Sequence, residues 1–125
     1  MDIGVPTEIK RAERRVSLTP NVITELTSRG HSVVVQSDAG VGAGFDNAEY
    51  KVAGAAIADT ADEVFDTAEM IVKVKEPQSQ ERDLLKPHHT LFTYLHLAAD
   101  QAQTDDLLAS GAACIGYETV TDDAG

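Results

Sequence analysis

Short apolar runs alternate along the chain with stretches that carry helix start and stop signals, and this alternation constrains the fold most. The apolar runs predict six strands, at residues 2–6, 32–37, 55–58, 69–75, 90–95 and 112–117. The intervening helices are predicted to begin at Pro20 after the cap Thr19, at the capping pairs Asp46/Glu49 and Thr60/Glu63, and to cover residues 80–86 and 100–110. Such alternation is typical of an α/β fold with a doubly wound, mostly parallel sheet and flanking helices.

The composition narrows the class of protein. The chain has 125 residues, enough for one domain with a hydrophobic core. Its net charge of −11 argues against a nucleic-acid partner. No apolar segment approaches the roughly 20 residues that span a bilayer, and no secretory signal is visible, so we expect a soluble, cytoplasmic protein without a membrane partner. Cys114 lies in an apolar run and is predicted to be a buried, unreactive thiol.

Charged and titratable side chains follow four of the predicted strands. The loop after the first strand contains four basic residues, Lys10, Arg11, Arg14 and Arg15. Lys75 ends the fourth strand, His96 follows the fifth and Glu118 follows the sixth. Ligands of open parallel sheets bind beyond the carboxyl ends of the strands, so this set suits a small anionic substrate that gains or loses a proton. A solvated surface is the alternative interpretation of the basic cluster.

The chemistry of each side chain suggests its role. A guanidinium can hold a carboxylate with two parallel hydrogen bonds, which favours Arg15, with Arg14 as the alternative. A lysine ammonium can polarise a carbonyl oxygen, and Lys75 lies at the extreme end of its strand. Lys73 would point to the same face, and we interpret it as a strand residue whose ammonium reaches solvent. His96 is the candidate acid/base group, with a structural histidine as the alternative.

Two further patterns are predicted to carry no chemistry. The run Gly40-Val41-Gly42-Ala43-Gly44 follows a strand, but the third glycine of a dinucleotide fingerprint would fall at Phe45 or Asn47, so we interpret the run as a flexible turn. His88 and His89 follow Pro87 without a cysteine or carboxylate at ligand spacing. We therefore expect neither a cofactor-binding loop nor a metal site in this chain.

Several longer stretches together carry a family resemblance. They are IGVPTEIKRAERRVSLTP, GAGFDNAEYKVAGA, IVKVKEP, LFTYLHLAAD and YETV, and they span nearly the whole chain. The chain resembles the N-terminal segment of the alanine dehydrogenase and pyridine-nucleotide transhydrogenase family. KVKEP and TYLHLA are similar to the alanine dehydrogenase branch. The resemblance implies that Arg15 and Lys75 bind pyruvate or alanine, that His96 is the acid/base group, and that Glu118 and Tyr94 support the site.

The resemblance also implies a larger enzyme around this chain. Residues 1–125 would be the N-terminal part of a substrate domain, and the NAD-binding domain would lie outside them. The parent would convert L-alanine to pyruvate and ammonia reversibly with NAD, as a homo-oligomer that the family suggests is a hexamer, while the isolated chain would be inactive. The alternatives are a non-catalytic carboxylate-binding or assembly module, and the N-terminal part of a proton-translocating transhydrogenase alpha subunit.

Overall fold

A computed structural model describes residues 1–122 and contains a six-stranded sheet. The strands are β1 (Asp2–Val5), β2 (Ser32–Gln36), β3 (Ala56–Ala58), β4 (Met70–Val72), β5 (Thr90–Thr93) and β6 (Ala113–Gly116). Their order is β3-β2-β1-β4-β5-β6, and every neighbouring pair is parallel. The predicted α/β, doubly wound fold is confirmed, and the sheet is parallel throughout instead of mostly parallel.

Five α-helices connect the strands. They are α1 (Pro20–Ser28), α2 (Asn47–Val52), α3 (Ala61–Thr67), α4 (Ser79–Arg82) and α5 (Gln101–Ser110). The cap predictions hold for two helices, since Asp46 accepts a hydrogen bond from the Glu49 amide at 2.9 Å and Thr60 accepts one from the Glu63 amide at 3.2 Å. Thr19 occupies the cap position of α1 without a side-chain cap bond.

Most strands are one or two residues shorter than predicted, and three predicted elements differ more from the structure. The helix predicted over residues 80–86 is the single turn α4, and the strand predicted over residues 69–75 ends at Val72. The glycine-rich run is not a simple turn, because Val41–Ala43 form a 3₁₀ helix. The early end of β4 matters most, because Lys73 and Lys75 then lie in a loop where strand alternation no longer fixes their directions.

The two faces of the sheet bury separate hydrophobic clusters. One cluster joins Val33 and Val35 of β2 to Ile23 of α1 and Tyr50 of α2. The other joins Val34 of the same strand to side chains of α3 and α5, including Val64, Phe65 and Leu107. Successive strand residues point to opposite faces, so the run Val33-Val34-Val35 supplies both clusters, as expected for a strand covered on both sides.

Gly4 of β1 allows α3 to approach the sheet closely. A Cβ atom at this position would lie 2.8 Å from Ala68 Cβ and 2.8 Å from Val64 Cγ1. Those distances are shorter than van der Waals contact, so the helix would have to move away from the strand. Within residues 1–122, no helix is long and apolar enough to cross a membrane.

Candidate functional site

The candidate site lies where the strand order reverses. β1 and β4 are neighbours in the centre of the sheet, and the chain proceeds from β1 towards β3 on one side and from β4 towards β6 on the other. A crevice forms beyond the carboxyl ends of the strands at such a point. The loop after β1 carries Arg15, the segment after β4 carries Lys75, and the segment after β5 carries Tyr94 and His96.

The basic loop after β1 is folded back on itself and tied to the sheet. Ala12 adopts the left-handed conformation with φ of 64°, and the Glu13 amide donates to the Lys10 carbonyl at 3.0 Å. The Ser17 hydroxyl donates to the Val72 carbonyl at 2.8 Å, which joins the loop to the end of β4. These contacts give the loop a defined path across the end of the sheet instead of leaving it as a solvated tail.

Arg15 forms an ion pair with Glu13 two residues earlier. Its Nη2 atom donates to Glu13 Oε1 at 2.6 Å, and its Nε atom donates to Oε2 at 3.0 Å. The Glu13 side chain is 6% exposed, whereas the Arg15 side chain is 62% exposed. The hydrogen bonds from the Arg15 side chain hold the pKa of Glu13 down at about 2, and the charge of Lys75 lowers it further. Glu13 is therefore ionised at neutral pH, and its pKa is lowered by both of the cations that are predicted to bind substrate.

Glu8 holds the backbone that leads to Lys75. Its carboxylate accepts hydrogen bonds from the Val74 amide at 3.1 Å and from the Lys75 amide at 3.0 Å. The Lys75 carbonyl accepts a hydrogen bond from the Thr93 hydroxyl at 2.9 Å. Lys75 itself is half-buried. The backbone on both sides of this residue is thus fixed by Glu8 and by β5.

Lys73 is buried, so the prediction that its ammonium reaches solvent was wrong. Its side chain is 1% exposed, and Nζ lies 3.0 Å from Glu8 Oε1 and 2.9 Å from Glu81 Oε2. Burial raises the pKa of Glu81, and the charge of Lys73 opposes that rise. An unpaired ammonium in the interior would be costly, so the burial of Lys73 requires the two carboxylates that compensate its charge.

Tyr94 and His96 follow β5 with their rings stacked, the centroids being 5.9 Å apart. His96 adopts the left-handed conformation with φ of 51° and ψ of 42°, which is uncommon outside glycine. Tyr94 also contacts Tyr117 edge to face at 4.9 Å. Tyr94, Tyr117 and Arg15 line one cavity of about 400 Å³, which has ample room for a three-carbon acid.

Two acidic residues support this region. The Glu118 carboxylate accepts a hydrogen bond from the Leu95 amide at 3.1 Å, between Tyr94 and His96. Glu76 pairs with Lys10. Burial is the largest influence on the pKa of Glu76 and raises it, but the hydrogen bond from Lys10, a backbone hydrogen bond and the charges of Lys10 and His96 together lower it below its ordinary value. Glu118 therefore shapes the backbone beside the histidine, and Glu76 is electrostatically coupled to it.

The structure brings the predicted residues to one edge of the sheet through shared neighbours. Glu13 pairs with Arg15, and the charge of Lys75 lowers the pKa of Glu13, while Tyr94 lines a cavity with Arg15 and stacks on His96. The cavity that Arg15 and Tyr94 line does not include the side chains of Lys75 or His96. Arg14 lines a smaller neighbouring cavity beside Glu13.

The sequence interpretation missed Glu13, Glu8 and Tyr117. The Tyr117 hydroxyl donates to the Lys73 carbonyl at 2.7 Å, and burial raises its pKa to about 12. An acid inside a basic run was the available signal for Glu13, and a tyrosine directly before Glu118 was the signal for Tyr117. For Glu8 the sequence offers no local signal, since its partners Lys73, Val74 and Lys75 lie 65 to 67 residues away along the chain.

The glycine-rich run packs against its own chain and does not fit a dinucleotide. A Cβ atom at Gly40 would lie 2.6 Å from the Tyr50 ring, and one at Gly42 would lie 2.9 Å from the Arg14 carbonyl oxygen. The missing side chains therefore make room for protein, including the basic loop, and not for a pyrophosphate. No group of three metal-ligating side chains is arranged around a common point anywhere in residues 1–122.

Two other residues differ from the sequence interpretation in their surroundings. His89 is 2% exposed, with Nε2 at 2.7 Å from the Phe65 carbonyl oxygen and Nδ1 accepting the Lys86 amide at 2.8 Å. Its backbone amide closes the turn at Pro87 and His88 by donating to the Lys86 carbonyl at 3.0 Å, while its side chain lies in the core. Cys114 is only half-buried, and burial raises the pKa of its thiol, which keeps the sulfur protonated and poorly nucleophilic.

Comparisons with known proteins identify the family of this chain. Residues 4–125 match the family described as "Alanine dehydrogenase/PNT, N-terminal domain". The chain is 54% identical to the alanine dehydrogenase of Halomonas elongata over 97% of its own length and 33% of that protein, and 52% identical to that of Mycolicibacterium smegmatis over 96% and 32%. It spans about a third of the length of these relatives.

Solved structures show the same relationship. An L-alanine dehydrogenase superposes with a TM-score of 0.95 at 45% identity, over 99% of this chain and 34% of that one. A transhydrogenase from Sinorhizobium meliloti superposes with a TM-score of 0.89 at 25% identity, over 97% and 37%. The fold, the strand-end residues and the family match together show that this chain belongs to the alanine dehydrogenase/PNT N-terminal domain family.

Proposed function

We propose that this chain forms the substrate-binding part of an L-alanine dehydrogenase, which interconverts L-alanine with pyruvate and ammonia. The observation that carries the proposal is the pair of cations at the strand-order reversal, where Arg15 and Lys75 both act on the carboxylate of Glu13. A guanidinium that already holds one carboxylate, with a second cation after the neighbouring strand, forms an environment suited to another carboxylate, that of a 2-oxo or 2-amino acid. The identities of 54% and 52% to alanine dehydrogenases, against 25% to a transhydrogenase, favour the dehydrogenase.

Each residue has a distinct role in this proposal. Glu13 engages the Nε and Nη2 atoms of Arg15, so the exposed remainder of the guanidinium is available to a substrate carboxylate. Lys75 places positive charge near the substrate oxygen, where negative charge develops when the carbonyl is attacked. His96 exchanges a proton with the adding water or ammonia, and Tyr94 provides a wall of the cavity.

Catalysis also requires a nicotinamide cofactor, which the family resemblance implies to be NAD. The glycine-rich run of this chain does not fit a dinucleotide, since Tyr50 and Arg14 occupy the space beside its glycines. We therefore assign substrate binding and proton transfer to this chain, and cofactor binding to other parts of the longer protein. We further propose a cytoplasmic, homo-oligomeric parent enzyme, as the resemblance implies.

Substitutions in the full-length protein test the assigned roles by steady-state kinetics. His96→Ala should reduce kcat with pyruvate by about a hundred-fold or more, the usual range for loss of a general acid/base. His88→Ala is the matched control, because His88 is an exposed histidine outside the cleft. Arg15→Ala should mainly raise KM for pyruvate, with Arg29→Ala as its control. Near-wild-type turnover by His96→Ala, or an unchanged KM in Arg15→Ala, would remove that residue from the proposal.

A further inference from the structure

The backbone of His96 has an unfavourable conformation that its neighbours must hold. Its φ of 51° and ψ of 42° lie in the left-handed region, where a residue with a Cβ atom is strained. Such a conformation persists only where the surrounding structure fixes it. The two peptide groups on either side of His96 determine these two angles, so the partners of those peptide groups also determine the direction of the imidazole.

Both of these peptide groups are hydrogen-bonded. The carbonyl of His96 accepts a hydrogen bond from the Ala99 amide at 3.2 Å, which fixes the peptide group after the histidine. The Leu95 carbonyl accepts a hydrogen bond from the side-chain Nε2 atom of Gln103 at 2.7 Å. Gln103 lies in the first turn of α5, where its backbone amide donates to the capping residue Asp100 at 3.0 Å. The start of α5 therefore fixes the peptide group directly before His96.

A glutamine is a costly choice for the position of Gln103. The residue is 0% exposed, and it lies one helical turn before Leu107, which packs in the apolar cluster beneath α3 and α5. Its Oε1 atom has no hydrogen-bond partner among residues 1–122, and a reversed amide would place that oxygen against the Leu95 carbonyl oxygen. A buried polar atom without a partner is destabilising. What glutamine adds over an apolar side chain is the hydrogen bond to Leu95.

We propose that Gln103 is a positioning residue for proton transfer, which holds the imidazole of His96 in its working direction by fixing the Leu95 carbonyl. This inference rests on the proposed function, in which His96 exchanges the proton. Glu118 fixes the preceding peptide group through the Leu95 amide, so Gln103 controls the one that leads into the histidine. Without the Nε2 donor, a buried carbonyl loses its partner, and rotation of its peptide group towards another partner changes φ of His96.

Gln103→Met in the full-length protein tests this inference, because methionine is as long as glutamine and suits an apolar core but cannot donate a hydrogen bond. We expect kcat with pyruvate to fall about ten- to a hundred-fold, since a displacement of about 1 Å can cost a hundred-fold. KM for pyruvate should stay within about two-fold of wild type, because Arg15 and Lys75 remain in place. The urea concentration at half-unfolding should stay close to wild type, because methionine also removes the unpartnered oxygen.

Gln101→Met is the matched control. Gln101 is an exposed glutamine two residues earlier in α5, and its side chain donates to Asp105 at 2.8 Å. Its substitution should change neither kcat nor KM. A Gln103→Met variant that unfolds at a much lower urea concentration, or that does not fold, overturns the inference, because Gln103 would then serve the fold.

A double substitution separates the positioning of His96 from a general effect on the enzyme. In the His96→Ala background, Gln103→Met should change kcat by less than about two-fold, because no imidazole is left to misdirect. A similar fall in both backgrounds, or an unchanged kcat in Gln103→Met when His96→Ala is impaired, overturns this inference alone. Near-wild-type turnover by His96→Ala overturns the proposed role of the histidine and this inference with it.

Discussion

Replacing Lys73 by methionine should destabilise the protein strongly, because it would leave two buried carboxylates without their cation. Nζ lies 3.0 Å from Glu8 and 2.9 Å from Glu81, and the side chains of both acids are less than 5% exposed. At an effective dielectric constant of about 20, each contact is worth roughly 5 kcal/mol before desolvation is counted. Since methionine removes the desolvation of the ammonium as well, we expect a net loss of about 3–5 kcal/mol in the free energy of unfolding.

The loss should depend on pH in a defined direction. Burial already raises the pKa of Glu81 above its ordinary value of 4.5, and Lys73 opposes that rise. Without Lys73 the pKa rises further in the folded state, so the folded protein binds a proton more readily than the unfolded chain. The penalty is then complete well above the folded pKa and disappears as pH falls towards about 4.5. The difference between Lys73→Met and wild type should shrink between pH 7 and pH 5.

Urea unfolding followed by circular dichroism measures both quantities. Arg29→Met is the matched control, because the Arg29–Glu25 pair is 70% and 64% exposed and should contribute no more than about 0.5 kcal/mol. A Lys73→Met variant that unfolds at the same urea concentration as Arg29→Met would refute the reasoning. A deficit that grows as the pH is lowered would refute the assignment of the penalty to the carboxylates.

Three further substitutions probe other parts of the structure by the same measurement. Burial lowers the pKa of His89, although the hydrogen bond with the Phe65 carbonyl opposes this, so the free energy of unfolding should fall as the pH drops below 6.5, the ordinary pKa of histidine. His89→Gln should flatten this pH dependence and His88→Gln should not. Equal slopes in both variants would contradict the assignment. Gly4→Ala should cost about 1–3 kcal/mol through the close contacts with Val64 and Ala68, and an unchanged midpoint would argue against them. Tyr117→Phe should cost about 1 kcal/mol for the lost hydrogen bond to Lys73, whereas no cost would mean that the bond does not form in solution.

The fold could be predicted because its signals are local. Runs such as Val33-Val34-Val35 specify a strand buried on both faces, and the caps Asp46 and Thr60 specify where helices begin, whatever the rest of the chain does. The strand ends were less certain. β4 ends at Val72 although the strand-like alternation of the sequence continues to Lys75, because Glu8 binds the Val74 and Lys75 amides.

The site could be predicted only where a residue stands directly at the end of a strand. Lys75 and His96 were proposed in this way, and Arg15 was proposed as the preferred one of two adjacent arginines; their roles stay predictions. Lys73 was misinterpreted, because its burial depends on Glu8 and Glu81, which come from other segments. Glu13 was missed because its ion pair with Arg15 depends on the local backbone conformation around Ala12. Charge compensation across distant segments is not visible in local patterns.

A crystal structure of the full-length protein with pyruvate would test the central claim most directly. The proposal predicts the pyruvate carboxylate within hydrogen-bond distance of the Arg15 guanidinium, the oxo oxygen next to Lys75 Nζ, and His96 within reach of the carbonyl carbon through one water molecule. Pyruvate bound elsewhere, for example in the apolar cavity between Leu97, Leu107 and Cys114, with the Arg15–Glu13 pair untouched, would contradict it.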